Sequence, residues 1–220
     1  MLRFRILPVT PLEQNCTLFW CDQTQRAVIV DPGGDLERLR VLIRETGVTL
    51  EKILLTHGHF DHVGAAGLLA EHFDLPIVGP HREDAFLLES LPSQCASFGF
   101  PPIPALTPDQ WLDEGDQIEF GTVRLEVIRC PGHTPGHVIF YSSANQLAQV
   151  GDVIFQGSIG RTDFPRGNHQ DLITSIRERL FPLGDDLRFI PGHGPMSTVG
   201  AERRGNPFVR DALFTRGKSH

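Results

Sequence analysis

The chain has 220 residues, with 20 Lys and Arg, 27 Asp and Glu, 10 His and a formal net charge of −7 at pH 7. This length is enough for one α/β domain that buries its core without the help of disulfides. The net negative charge argues against sequence-independent binding to nucleic acid, which needs a concentrated basic surface.

The N-terminal ten residues alternate as in a strand and lack the long apolar segment of a signal peptide. No later stretch approaches the roughly 20 apolar residues that a membrane helix needs. The four cysteines form no CxxC pair, so we expect buried free thiols and not a disulfide framework. These features together predict a cytoplasmic protein that binds neither membrane nor nucleic acid.

Short apolar runs alternate with amphipathic stretches along the chain, which predicts an α/β fold. The predicted strands are Phe4–Val9, Thr17–Trp20, Ala27–Val30, Lys52–Leu55, Val123–Ile128, Val138–Tyr141, Leu147–Val150 and Leu187–Ile190. The predicted helices are Asp35–Thr46, with Asp35 as its N-cap, His62–His72, Arg82–Ser90 and Gln170–Leu180. Five prolines between Leu91 and Asp109 predict a long ordered loop there.

A dense group of metal-ligand residue types follows the apolar run Ile53-Leu54-Leu55. His57, His59, Asp61 and His62 lie within six consecutive positions. Alternation along a strand places His57 and His59 on one side. Asp61 and His62 can reach a second metal position from the following turn. Imidazole and carboxylate together suit zinc, with iron or manganese as substitutes.

The same residue types recur at three later strand ends, each beside glycine. His133 lies in Cys130-Pro-Gly-His133, Asp152 in Val150-Gly-Asp152, and His193 in Ile190-Pro-Gly-His193. Seven potential ligands from four turns predict a dinuclear site. For His137, a role supporting the ligands is favoured over direct metal binding. The remaining histidines are interpreted as surface or capping residues: His72, His81, His169 and His220.

This ligand order resembles the metallo-β-lactamase fold superfamily, whose signature HxHxDH is present as His57 to His62. The resemblance spans Phe4 to His193. It implies one domain over residues 1–220, a four-layer αββα sandwich of two mixed sheets, and a metal site at one edge. It also implies two divalent metal ions, the first held by His57, His59 and His133, the second by Asp61, His62 and His193, with Asp152 as the bridge.

Within the superfamily, residues 151–165 are similar to the glyoxalase II (hydroxyacylglutathione hydrolase) branch. The resemblance implies hydrolysis of a thioester such as S-lactoylglutathione by a metal-bound hydroxide that Asp61 orients. It also implies that Arg161 contacts a glutathione carboxylate, a task that suits a guanidinium, and that Phe164 contacts the substrate. The predicted partner is therefore a small anionic thioester, and the predicted assembly is a monomer or small homo-oligomer.

Two alternatives remain open from the sequence. A mononuclear iron glutathione-persulfide dioxygenase would use His57, His133 and Asp152, and the segment Gly160-Arg-Thr-Asp-Phe164 occurs in both groups. The full second ligand set favours the hydrolase. A metallo-hydrolase of other thioesters or lactones is the other alternative, because the 27 residues after His193 are too few for the helical glutathione-binding domain of larger relatives. A structural zinc domain is disfavoured because such sites are rich in thiolates.

Overall fold

The first sheet is built mainly from the N-terminal third of the protein, in a computed structural model that describes residues 1–214. Its strands run in the order β1 (Leu2–Val9), β2 (Gln14–Cys21), β3 (Arg26–Val30), β4 (Thr49–Leu54) and β5 (Ile77–Val78). The strand β2 is antiparallel to both of its neighbours, β1 and β3, whereas β3, β4 and β5 are parallel, so the sheet is mixed. The sequence prediction for His220 falls outside the described residues.

The second sheet uses later strands and is also mixed. Its strands along the chain are β6 (Gln117–Phe120), β7 (Val123–Arg129), β8 (Val138–Ser142), β9 (Leu147–Gly151), β12 (Arg188–Pro191) and β13 (Ser197–Thr198), while β10 (Ile154–Phe155) and β11 (Ser158–Ile159) pair as a separate hairpin between β9 and β12. Without the separate β10–β11 hairpin, the sheet order is β13-β12-β9-β8-β7-β6. Only the β12–β9 pair is parallel among these described neighbours.

Seven α-helices connect or cover the strands of residues 1–214. They are α1 (Leu36–Thr46), α2 (Phe60–Val63), α3 (Ala66–Phe73), α4 (Ala85–Glu89), α5 (Leu91–Ser97), α6 (His169–Thr174) and α7 (Val199–Gly205). The α6 helix continues as a π-helical segment over Ser175–Leu180. Across residues 1–214, none of these helices has the length and apolar character that crossing a membrane requires.

Three apolar clusters show how the layers pack. Between the sheets, Phe19 and Val28 of the first sheet belong to one cluster with Val127 and Phe140 of the second. The other face of the first sheet packs with Leu39 and Leu69 of α1 and α3, among others. The other face of the second sheet packs against α6, the π-helical segment and α7. The layers therefore run helix, sheet, sheet, helix, which confirms the predicted αββα sandwich.

Each predicted strand is present, with ends that shift by up to three residues. The predicted helix His62–His72 is instead two helices, α2 and α3, and the first of them begins at Phe60. Asp35 occupies the predicted N-cap position of α1, but its side chain does not cap the helix. Asp35 precedes α1 in a left-handed conformation with no capping hydrogen bond from its side chain, and its carboxylate accepts from the Thr10 N–H and from Arg38 instead.

The prediction of a loop over Leu91–Asp109 was wrong for its first seven residues, which form α5. Pro92 lies in the first turn of this helix, where a missing N–H costs no hydrogen bond. Leu91 and Cys95 anchor the helix because both side chains are buried. All four cysteines are free and buried, as the sequence predicts.

Candidate metal centre

The seven predicted ligands meet at one edge of the sandwich, where strands of both sheets end. His57 and His59 follow β4 of the first sheet, and His62 lies in the short helix after them. In the second sheet, β7, β9 and β12 precede His133, Asp152 and His193 respectively. The site therefore joins the two halves of the fold.

A first group consists of three ring nitrogens. His59 Nδ1 lies 3.1 Å from His57 Nε2 and 2.9 Å from His133 Nε2. The Nδ1 atoms of His57 and His133, on the far side of each ring, are fixed by polar contacts. His57 Nδ1 lies 3.0 Å from Thr56 Oγ1, and His133 Nδ1 lies 2.7 Å from the Arg161 carbonyl oxygen. A carbonyl only accepts, so we assign the proton of His133 to Nδ1, which leaves a lone pair on Nε2.

A second group surrounds Asp61. Its Oδ2 lies 3.2 Å from His193 Nε2 and 3.8 Å from His62 Nε2. The outer nitrogen His193 Nδ1 donates to the Leu12 carbonyl at 3.1 Å, and His62 Nδ1 lies 2.9 Å from Asp31 Oδ2. Both rings therefore turn Nε2 toward the same space.

Asp152 lies between the two groups. Its Oδ1 is 3.4 Å from His62 Nε2, and its Oδ2 is 3.6 Å from His133 Nε2 and 3.7 Å from His193 Nε2. Oδ1 and His62 Nε2 are both buried without a hydrogen-bond partner among the described residues. A Cβ at Gly192 would collide with this carboxylate, so only glycine allows the approach. Buried lone pairs that converge without hydrogen bonds fit a cation.

The pKa values of the first group and of the two carboxylates support the same assignment, whereas for His62 and His193 burial is outweighed by Asp61 and Asp152, which raise the pKa of both rings. Burial lowers the pKa of His57 and His133, and it lowers the pKa of His59 to about 3, so these rings stay neutral and can donate lone pairs. Burial opposes ionisation of Asp61 and Asp152, but their histidine neighbours, His62 first among them, hold both pKa values below the usual range. Neutral imidazoles and ionised carboxylates are the ligand forms that a divalent ion requires.

Asp31 supports the centre, and our sequence analysis missed it. This buried side chain accepts hydrogen bonds from the Thr56 N–H at 2.7 Å and from the Thr56 hydroxyl at 2.6 Å, besides its contact with His62. Its backbone has a φ of 49°, in the left-handed region. A usable signal was present, because Asp31 directly follows a buried strand, as the predicted ligand Asp152 does.

His137 stacks on His57 with the ring centroids 4.7 Å apart, and its Nε2 accepts a hydrogen bond from the Asp152 N–H at 3.1 Å. Its ring is fully buried, and burial lowers its pKa well below the usual range. His137 thus contacts the ring of one predicted ligand, His57, and the backbone of another, Asp152. These contacts agree with the supporting role that the sequence predicts for it.

Asp84 connects the two turns that carry the first group of ligands. Its carboxylate accepts from the Gly58 N–H at 3.0 Å, the Thr134 hydroxyl at 2.8 Å and the Gly136 N–H at 2.6 Å. Burial raises the pKa of Asp84 to about 6. The sequence carried no signal for this role, since Asp84 is one acid among several in a predicted surface helix.

Replacing Asp84 with Ala is expected to lower the free energy of unfolding by about 3 kcal/mol, because three buried donors lose their acceptor. Urea unfolding of the metal-free protein measures this directly. Asp186→Ala is the matched control, since Asp186 is exposed. A loss within 0.5 kcal/mol of the control, about the scatter of a surface substitution, would contradict the role of Asp84.

A cavity of about 740 Å³ adjoins the centre, and both predicted substrate contacts line it. Phe164 packs edge-on against His59, with the ring centroids 4.8 Å apart. Arg161 lies over the Phe164 ring, 4.5 Å from its centroid. However, the guanidinium is engaged by Asp163 through two hydrogen bonds of 2.9 and 2.7 Å. Arg161 therefore lies beside the cavity and is paired with Asp163 in this conformation, in an ion pair whose two side chains are largely exposed.

Residues 9–193 match the family profile described as the metallo-beta-lactamase superfamily. Hydroxyacylglutathione hydrolase GloC of Haemophilus influenzae is 49% identical over 209 residues, which are 94% of this chain and 98% of that protein. Among solved structures, BLEG-1 B3 metallo-beta-lactamase has a TM-score of 0.87 at 36% identity and covers 94% of this chain and 99% of its own. TTHA1623, solved in a di-iron-bound form, has a TM-score of 0.85 at 38% identity, and the match covers 93% of this chain and 100% of that chain. The chain thus belongs to the metallo-beta-lactamase superfamily and is a metallo-hydrolase.

Proposed function

We propose that the protein hydrolyses thioesters of glutathione, such as S-lactoylglutathione. The observation that carries the proposal is the assembly of two ligand groups around Asp152, beside a cavity large enough for a substrate. The name of the relative GloC, a hydroxyacylglutathione hydrolase, supports this substrate class. We further propose that the protein acts in the cytoplasm as one domain.

The proposal assigns a divalent ion to each ligand group. His57, His59 and His133 would hold the first ion, Asp61, His62 and His193 the second, and Asp152 would contact both. Such ions lower the pKa of a bound water from 15.7 to about 7 and polarise a carbonyl oxygen. The mixed imidazole and carboxylate set favours zinc, while iron is the alternative that the di-iron form of TTHA1623 suggests.

The chain's own residues then position the reactants. Asp61 is ionised at neutral pH, since its pKa is lowered, so its carboxylate can accept a proton of the attacking water and orient it. Hydrolysis forms a bond between the water oxygen and the carbonyl carbon and breaks the C–S bond. The departing thiol has a pKa near 8.5, so it leaves as a thiolate without a dedicated general acid.

The second ligand group favours this reaction over the persulfide dioxygenase. Asp61, His62 and His193 have ligand atoms within 4.8 Å of one another, as the three histidines of the first group do. A mononuclear enzyme would need only one group. The second group is therefore better explained by a second ion.

Protein loaded separately with zinc, iron and manganese should be assayed against S-lactoylglutathione, other thioesters and lactones. We expect cleavage of S-lactoylglutathione with kcat/KM of at least about 10⁴ M⁻¹s⁻¹, the lower end for natural substrates, and slower cleavage of lactones. Chelated protein is the control. One iron per chain with oxygen uptake on glutathione persulfide, and no thioester cleavage, would overturn the proposal.

A further inference from the structure

The cavity beside the metal centre has a largely apolar wall. The side chains that form this wall are Phe60, Phe86, Leu87, Phe98, Phe155 and Phe164. Phe98 remains 50% exposed although its ring packs 5.2 Å from that of Phe60, so a large apolar surface faces the cavity mouth. The ligands His59, His133 and His193 line the same cavity, which places the apolar wall directly beside the reacting bond.

Four polar side chains also line the cavity, and their hydrogen-bond donors are used within the protein. Ser90, Ser93 and Ser97 each donate a hydroxyl hydrogen to a backbone carbonyl three or four residues earlier. The Gln94 amide donates to the Leu87 carbonyl at 2.7 Å and accepts from the Phe60 N–H at 3.1 Å. These four residues therefore present little free donor capacity to a ligand.

The wall also offers little positive charge. Arg161 is the one Arg or Lys among the described residues that line the cavity, and it forms an ion pair with Asp163. A glutathione moiety carries two carboxylates and an ammonium, and burying such charges without partners is costly. A thioester joins an acyl group to a thiol carrier. When the carrier is the charged glutathione moiety, only the acyl group can be uncharged and apolar.

We propose that this cavity binds the acyl group of the substrate, and that the preferred acyl groups are aliphatic or aromatic and larger than lactoyl. The charged thiol carrier would then lie outside the apolar wall. This inference rests on the thioester hydrolysis proposed above, and it adds a substrate preference to that function. The cavity volume of about 740 Å³ is within the usual range for sites that enclose small molecules.

The first test is a series of glutathione thioesters with propanoyl, butanoyl, pentanoyl and hexanoyl groups, alongside S-lactoylglutathione. We expect kcat/KM to rise about fourfold per added methylene, the factor that corresponds to burying one CH₂. Hexanoyl should therefore exceed propanoyl by about 60-fold. A flat or falling series would overturn the inference.

The second test measures binding without hydrolysis. S-methyl-, S-propyl- and S-hexylglutathione are thioethers and cannot be cleaved, so calorimetric titration of the metal-loaded protein measures binding without turnover, and differences along the series report on the alkyl group. We expect the Kd to fall along this series by a similar factor per methylene. Equal Kd values for the three thioethers would contradict an apolar acyl site.

Two variants locate the effect. Ser93→Phe adds bulk to the cavity from an exposed position of α5, and it should reduce kcat/KM for hexanoyl about tenfold while propanoyl changes less than twofold. Phe98→Ala should flatten the thioether series. Phe208→Ala is the matched control, because Phe208 is similarly exposed but lies outside the cavity. Equal losses for hexanoyl and propanoyl in Ser93→Phe would count against the site.

The outcomes separate this inference from the proposed function. If S-lactoylglutathione is cleaved while both series are flat, the acyl site is wrong and thioester hydrolysis stands. If no thioester is cleaved but the thioethers bind with graded affinity, thioester hydrolysis is wrong and the apolar site stands.

Discussion

The Asp152→Ala variant is expected to hydrolyse thioesters at least about 1,000-fold more slowly than the unaltered protein, which corresponds to about 4 kcal/mol of transition-state stabilisation. Asp152 is the carboxylate that lies within 3.7 Å of rings from both ligand groups. Its removal leaves those histidines without their shared anionic neighbour, so both ions should bind more weakly. Elemental analysis of the purified variant should show fewer than two ions per chain, alongside the kinetic loss.

Two further variants make this prediction specific. Asp152→Asn keeps the shape of the side chain and removes its charge, so it should lose metal nearly as Asp152→Ala does. Asp186→Ala removes an exposed carboxylate and should change neither measurement. Retention of the full metal content, with activity within tenfold of the unaltered protein, would show that Asp152 does not join the two groups.

Metal-free protein is expected to be less stable at about pH 5 than at about pH 7.5, by at least about 2 kcal/mol. Burial lowers the folded-state pKa of His57, His59 and His137 below the ordinary value near 6.5. As the pH falls below 6.5, the unfolded chain therefore takes up protons that the folded protein does not. His62, His193 and Asp84 oppose this trend, because their pKa values are raised in the folded protein and their contribution is lost only as the pH rises.

Urea unfolding of chelated protein at the two pH values measures this difference. His137→Gln should reduce it by up to about 2 kcal/mol, because one buried neutral ring is removed. His72→Gln is the matched control, since His72 is exposed on α3 and should leave the difference unchanged. Greater stability at the lower pH would mean that the raised pKa values of His62 and His193 dominate the centre.

The positions of the predicted ligands could be recognised in the sequence because each lies in a turn or short helix after an apolar strand. Local spacing alone then places them at strand ends, and the recurrence at His133, Asp152 and His193 indicated one shared site. Asp84 was not predictable, because its role depends on contacts with Gly58 and Gly136, 26 and 52 residues away in the chain. Such contacts arise only when the two sheets pack together.

The cavity wall was hidden for a different reason. The prolines after Leu91 indicated a loop. Pro92, however, lies in the first turn of α5, where proline is compatible with a helix, and this helix places Ser93 and Ser97 on the cavity side. The engagement of Arg161 by Asp163 was equally invisible, although the two residues are only two apart. The family resemblance indicated that Arg161 lies beside the site, but it did not indicate that Arg161 pairs with Asp163.

Part of the cavity wall is separate in sequence from the proposed ligands, and this separation has an evolutionary consequence. Phe86, Leu87, Ser93 and Phe98 all lie in the connection between β5 and β6, and that connection contributes none of the seven proposed ligands. Substitutions in this segment can therefore change which substrates are accepted while the reactive centre stays intact. Related proteins with identical ligand sets are accordingly expected to diverge in specificity first in this connection.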